Sequence, residues 1–442
     1  MTIQRINQNT FARRRRDLMA KMSGNSVAIV PSAVAVSRNS DVEYPFRQDS
    51  DFYYLTGFDE PDAVLVLIPG RKAGEVVLFC RDRDPEMEIW NGYRAGPEGA
   101  CNQYGADQAW PVSDIDAKVQ SLMQGCQRLY YSIGTNEKLD QQVRDWLNGI
   151  RAQARQGAVA PSEMVMLDHM LHEMRLIKGE QEIRLMRDAG RISAEAHVRA
   201  MQYCKPGLTE YQLEAEITHH FAVNGCRQPA YSSIVGGGDN ACVLHYTENW
   251  DELRADDLVL IDAGCELDYY AGDITRTFPV SGVFSTEQKA LYELVLKAQL
   301  VCIEAIKPGV IWNDIHDLSV EVLVQGLVEL GLLQGEPAEL IESGAYKRFY
   351  MHRVGHWLGM DVHDVGDYKI DGEWRPLEPG MVMTVEPGLY IAPQDETVEE
   401  CWRGIGIRIE DDVLITEQGY EVLSAGAPKT VDEIEQLMAA AG

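Results

Sequence analysis

The 442-residue chain has no apolar run approaching the roughly 20 residues that a membrane helix needs. Its one early basic cluster, the four arginines at 13–16, is not followed by an apolar core of signal-peptide length. Cysteine is scattered: nine residues, an odd number, and no Cys-x-x-Cys pair. That pattern argues against a disulfide framework and a thiolate zinc site and suits a reducing compartment, the cytoplasm being the simplest location. Positive charge is scarce, with 40 Lys and Arg against 69 Asp and Glu and a formal charge of -29. Such a surface repels phosphate backbones and anionic membranes, so neither nucleic acid nor membrane is an expected partner. The four arginines read as a solvated helix face.

What is present is ordinary for a soluble globular protein: 45% apolar and 25% charged residues, enough chain for two or three domains. Short β-rich runs at 26–30, 63–68, 75–79 and 128–132 alternate with helical patterns such as 138–147, which predicts an α/β domain with its own sheet. Around 151–161 the periodicity fades, and a linker is expected there. Beyond it the chain repeats itself. Cys204-Lys-Pro-Gly-Leu-Thr-Glu-Tyr-Gln-Leu213 is echoed by Ile306-Lys-Pro-Gly-Val-Ile-Trp-Asn-Asp-Ile315. In each copy a helix-length stretch precedes Lys-Pro-Gly and an amphipathic helix follows it, the first with Thr209 and Gln212 spaced as a capping box. Each copy then runs into a β-rich region, 258–280 and 381–416. This predicts a duplicated helix–helix–sheet unit.

The duplication organises five potential metal ligands. Asp262 ends an apolar run in the first half and Asp273 follows Tyr270-Ala-Gly272; His356, Glu386 and Glu410 come from the second half. Ionised carboxylates beside strand-like apolar runs need something positive to offset their desolvation. A turn over 264–268 is expected to set Asp262 and Asp273 side by side as a cross-strand pair. Four carboxylates and one imidazole suit two divalent cations about 3.5–4 Å apart, able to bridge a hydroxide and polarise a carbonyl. Oxygen donors with a lone imidazole favour manganese or cobalt, with zinc and iron also open.

Only ten histidines exist, and His352, His356 and His363 fall close together. His352 and His356 at i, i+4 invite a zinc helix, but Arg353 stands where a glutamate would, and Gly355 and Gly359 weaken a helix. His356 is the better ligand, leaving His245 and His363 as donors to a developing oxyanion. Glu386, before Pro387-Gly388, is placed to hold a metal and to take a proton. Arg408, two residues before Glu410, either orients the site, contacts substrate or forms an ion pair.

These residues carry a resemblance. Val259-Leu-Ile-Asp-Ala-Gly264, Asp273-Ile-Thr-Arg-Thr-Phe278, the stretch from His352 to Gly366, Thr384-Val-Glu-Pro-Gly388 and Gly406-Ile-Arg-Ile-Glu410 resemble the signatures of the Xaa-Pro aminopeptidase (aminopeptidase P) family. Asp51-Phe-Tyr-Tyr-Leu-Thr-Gly-Phe58 extends the likeness to the N-terminal region. The resemblance implies a creatinase-like α/β domain over 1–174 and, over 175–442, an α+β pita-bread catalytic domain with internal pseudo-two-fold duplication. It implies a dimanganese site and release of one N-terminal residue from peptides with proline second, by attack of a metal-bridging hydroxide. Asp262 and Asp273 would hold one ion and His356 and Glu386 the other, with Asp273 and Glu410 bridging. Glu386 would be the general base, and His245 and His363 would bind the carbonyl. His352, Tyr231, Tyr390 and Arg408 would shape the proline pocket. A homo-oligomer, dimer or tetramer, is implied, with Trp90 at the position that reaches a neighbouring subunit's site. The nearest rival is a prolidase, cleaving Xaa-Pro dipeptides. Methionine aminopeptidase lacks so large an N-terminal domain, and a non-catalytic pita-bread binding protein would lack part of the ligand set.

Overall fold

A computed structural model describes residues 5–441 and divides into two compact units, 6–175 and 176–441, the latter also taking in Arg5. In the first, the apolar runs read from the sequence become strands of a six-stranded mixed sheet. Its order is Gln108–Pro111, Val76–Cys80, Val64–Leu67, Ser26–Pro31, Arg128–Tyr130, Glu163–Val165. The two pairings of 26–31 with 64–67 and of 64–67 with 76–80 are antiparallel and the others parallel. The helix Glu137–Ala152 buries Leu139, Val143, Trp146 and Ile150 against this sheet, a helical spacing of apolar residues on one face.

Two expectations fail here. The stretch 151–161 is not a linker between units: it is the loop that leads into the strand Glu163–Val165, which adds an edge to the same sheet. Loss of periodicity marks irregular backbone, and only long-range pairing tells a loop inside a domain from one between domains. The second fails by half: of the four arginines expected on a solvated face, Arg13 and Arg16 are exposed but Arg14 and Arg15 are buried. Arg14 and Arg15 are each 3 % exposed; Arg14 stacks 3.9 Å over the Tyr54 ring, and Arg15 donates to the Leu55 carbonyl at 2.8 Å. A guanidinium can be buried when carbonyls and aromatic faces replace its water.

The second unit shows the duplication. Helices Glu180–Tyr203 and Glu210–Val223 flank the first Lys-Pro-Gly, and Thr286–Ala305 and Trp312–Glu329 flank the second. Gly207 and Gly309 both take φ +87°, the left-handed turn for which glycine is suited. At the first turn Gln212 Oε1 accepts the Thr209 N–H at 2.9 Å, as the capping-box spacing predicts. Each helix pair is followed by a three-stranded antiparallel sheet. One is ordered Thr275–Pro279, Leu258–Asp262, Ile234–Gly237, and the other Val382–Val385, Asp411–Thr416, Gly419–Val422. Among the described residues, no helix is long and apolar enough to cross a membrane.

Candidate active site and metal centre

The five potential ligands sit at strand ends or in the loops beside them, where backbone direction changes and side chains can converge. Asp262 closes the strand Leu258–Asp262, Glu386 follows Val382–Val385, and Glu410 lies between Gly406–Arg408 and Asp411–Thr416. The cross-strand partner of Asp262 is Thr275, not Asp273. A second small hairpin intervenes, Glu266–Leu267 against Tyr270–Ala271, turning through Asp268 and Tyr269 at φ +48° and +74°. Asp273 therefore stands two residues beyond the end of the ladder, diagonal to Asp262. The approach is close: a Cβ on Gly264 would lie 1.7 Å from the Gly272 carbonyl oxygen, so only glycine fits. His356 lies on irregular backbone rather than on a zinc-binding helix, which follows from Gly355, where a Cβ would meet the Thr384 carbonyl at 2.0 Å.

These side chains open onto one cavity of about 790 Å³. Tyr231, His245, Asp262, Asp273, His352, His356, His363, Glu386, Arg408 and Glu410 all line it. Asp273, His356 and Glu410 each offer a ligand atom within 4.8 Å of the others. His356 Nε2 stands 3.4 Å from Asp273 Oδ2 and 3.5 Å from Glu386 Oε1. Its Nδ1 lies 2.9 Å from the Trp357 carbonyl, which can only accept, so the Nδ1 proton is committed and Nε2 faces the carboxylates. Backbone position is held from behind: Asp412 accepts the Asp273 N–H at 3.1 Å, and Thr384 Oγ1 accepts the His356 N–H at 3.1 Å.

The electrostatics call for a cation. Four carboxylates converge near the His356 imidazole and the buried Arg408 guanidinium. Burial, reinforced by Asp273, pushes the Glu410 carboxyl well up, and burial raises Glu386 to about 7 and Asp262 against the pull of Arg408. His356, although buried, is drawn up to about 9 by Asp273 and Glu386. Burial is the largest cause of each rise and the neighbouring acids add to it, so the carboxylates are short of positive charge. An oxygen-rich donor set with one imidazole nitrogen free fits hard divalent ions.

One side of the cavity is organised by Arg408, which is 3 % exposed. Nη2 donates to Asp262 Oδ2 at 2.6 Å, Nη1 to the Tyr390 hydroxyl at 2.9 Å and Nε to Thr275 Oγ1 at 3.0 Å. Thr275 in turn donates to Glu410 Oε2 at 2.7 Å. His352 Nδ1 faces the Arg353 carbonyl at 2.7 Å, so its Nε2 accepts from Tyr390 at 2.9 Å. Burial and Arg408 hold this imidazole down at about 3, hence neutral. Tyr231 lines the cavity and also reaches the acids: its hydroxyl is 2.5 Å from both Asp262 Oδ1 and Asp273 Oδ1. His363 packs edge-on to His356 with ring centroids 4.4 Å apart. Trp90 belongs to the other unit, on the helix Pro85–Asn91, and is 83 % exposed. The sequence reading passed over Thr275, Thr384 and Asp412, and over an aromatic wall of Trp312, Tyr368 and Trp374 lining the cavity. The alternation of Asp273, Thr275 and Thr277 was the one available sign that Thr275 shares the face of Asp273.

Two duplicated helix–sheet halves around an acid-rich cavity make up the pita-bread class of fold. Comparison with known proteins agrees. Residues 184–417, more than half of the chain, match the model of metallopeptidase family M24, and residues 11–130 match the aminopeptidase P N-terminal domain. The chain is 49% identical over 437 residues to the Xaa-Pro aminopeptidase of Escherichia coli K12, covering 99% of each. It superposes on the aminopeptidase PepP of Pseudomonas aeruginosa with a TM-score of 0.98 at 59% identity, covering 99% of both chains. The zinc-substituted E. coli aminopeptidase P in complex with product gives 0.97 at 48% identity, over 99% of this chain and 100% of that one. The chain belongs to metallopeptidase family M24, with the two-domain architecture of aminopeptidase P.

Proposed function

We propose that this metallopeptidase acts as an Xaa-Pro aminopeptidase with a pair of divalent cations held by Asp262, Asp273, His356, Glu386 and Glu410. Asp273 and Glu410 would be shared between the two ions. The observation that carries the reading is the convergence of all five side chains in one cavity, with Arg408 and His352 lining it and joined to each other through the Tyr390 hydroxyl. When bound, the cations supply Lewis acidity and lower the pKa of water. The donor set favours manganese among the candidate metals.

The rest follows from the chain's own groups. Glu386 borders the same cavity and serves as general base, passing its proton to the departing proline nitrogen. His245 and His363, open to the cavity, donate to the developing oxyanion. His352, Tyr390 and Arg408 flank the ring of the proline. The Xaa-Pro amide has no N–H, so the pocket needs no acceptor for it and can be built from a hydroxyl already engaged elsewhere. An exposed apolar cluster in the first unit, Ile89, Trp90 and Tyr93 at 82 %, 83 % and 90 %, supports a homo-oligomer in which Trp90 reaches a neighbour's substrate. Nine free cysteines support a cytoplasmic setting.

The test sets an Xaa-Pro-Xaa tripeptide beside an Xaa-Pro dipeptide, with chelator-treated protein before and after addition of Mn²⁺. Metal-dependent release of the first residue from the tripeptide, with little action on the dipeptide, is expected. Preference for the dipeptide would identify a prolidase, and cleavage of neither would remove the reading.

A further inference from the structure

Glu210 is a glutamate with no exposed surface and no place in the cavity, yet every one of its acceptor positions points at the segment that carries His245. Its Oε1 accepts the Gly237 N–H at 2.7 Å and Asn240 Nδ2 at 3.0 Å. Its Oε2 accepts the Tyr246 hydroxyl at 2.8 Å and the Asp251 N–H at 2.9 Å. Glu210 is also the first residue of the helix Glu210–Val223, where unsatisfied N–H groups favour a negative charge. One carboxylate thus ties together the start, middle and end of the loop 237–251.

His245 needs such a tie. Its ring lines the cavity, and among the described residues no hydrogen bond holds it. Its chain neighbour Tyr246 is the residue bound by Glu210. Asn249, 1 % exposed at φ +50°, clamps the far side by donating to the Ser233 carbonyl at 2.8 Å and accepting the Val235 N–H at 3.0 Å. A ring without a hydrogen bond of its own is aimed mainly by its backbone, and an oxyanion donor misplaced by about 1 Å loses most of its effect.

We infer that Glu210 is a positioning residue for the reaction, setting the direction of His245 through the Tyr246 anchor. The inference rests on the reading of His245 as an oxyanion donor. It is tested with Glu210→Ala, His245→Ala and the double variant, each assayed on an Xaa-Pro-Xaa tripeptide with metal content measured alongside. His245→Ala is expected to lower kcat on the order of 10²-fold. Glu210→Ala should reproduce much of that loss with metal content and KM little changed, and the double variant should be no slower than His245→Ala alone. Tyr246→Phe removes one link while leaving the carboxylate its backbone partners, so it keeps the test alive if Glu210→Ala does not fold; it too should lose its effect in the His245→Ala background. Losses that multiply would overturn the inference while leaving His245 in its role. A silent His245→Ala would overturn the role of His245 and this inference with it.

Discussion

Arg408 Nη2 lies 2.6 Å from Asp262 Oδ2, both groups buried, while the same guanidinium reaches Tyr390 and, through Thr275, Glu410. A planar fork with three directed contacts ties one acid of the first half to one acid of the second. An ammonium cannot reproduce that geometry. Arg408→Lys should therefore lower kcat/KM by roughly 10²-fold or more, the loss expected when a buried charge-assisted network is broken. Steady-state kinetics with metal analysis checks this; wild-type activity would show that the guanidinium only fills space.

His363 faces the cavity beside His356 but stands outside the cluster of closest ligand atoms. Replacing it by alanine should lower turnover and leave metal content intact. Loss of metal from His363→Ala, read by atomic absorption, would make it a ligand and change the scheme.

Behind the site runs a fully buried pair. Arg276 Nη2 donates to Asp411 Oδ1 at 2.7 Å, and Nη1 donates to the Glu410 carbonyl at 2.6 Å. Asp411 is shared with Lys429 at 2.7 Å and Gln299 at 2.7 Å. Removing Arg276 leaves Asp411 with Lys429 as its remaining cationic partner and takes the donor from the Glu410 carbonyl, a loss toward the lower end of the about 3–5 kcal/mol that breaking a buried pair costs. Arg276→Met should lower the melting temperature markedly and weaken metal binding, because Asp411 adjoins Glu410. An unchanged denaturation midpoint would refute this.

Much of the site was legible in sequence because its chemistry is local: an acid at the end of an apolar run, a glutamate before Pro-Gly, histidines among glycines. The duplication was legible because Lys-Pro-Gly imposes the same left-handed turn twice. The register was not. Asp262 pairs with Thr275 because a hairpin with two positive-φ residues, Asp268 and Tyr269, absorbs part of the intervening chain. Non-glycine residues in that conformation leave no plain mark in a sequence. Burial of Arg14 and Arg15 was hidden for a similar reason: their compensating carbonyls, at Tyr54 and Leu55, lie 40 positions away. Glu210 was hidden as well, since a glutamate opening a helix ordinarily serves only the helix.

Acid should destabilise the second unit through its buried histidines. Burial holds His197 and His316 down at about 4, against 6.5 when free. Between these values the unfolded chain binds protons that the folded chain refuses, so stability rises with pH across the window and is lost on acidification from about 6.5 toward 4. Each group contributes up to about 1.4 kcal/mol per pH unit in that range. The Asp411 carboxyl, held well below the usual range chiefly by Arg276 and Lys429 against its burial, adds a further loss once pH falls under its unfolded value near 4. His197 and His316 should therefore pull the melting temperature down from pH 6.5 to 4 with salt held constant, against the opposite pull of Glu386, whose folded-state carboxyl, raised by burial to about 7, takes up its proton first. His197→Gln, whose amide can still donate to the Ala263 carbonyl that His197 Nε2 meets at 3.0 Å, should flatten that slope whatever it does to the absolute stability. An equally steep profile in the variant would mean that His197 does not carry the linkage.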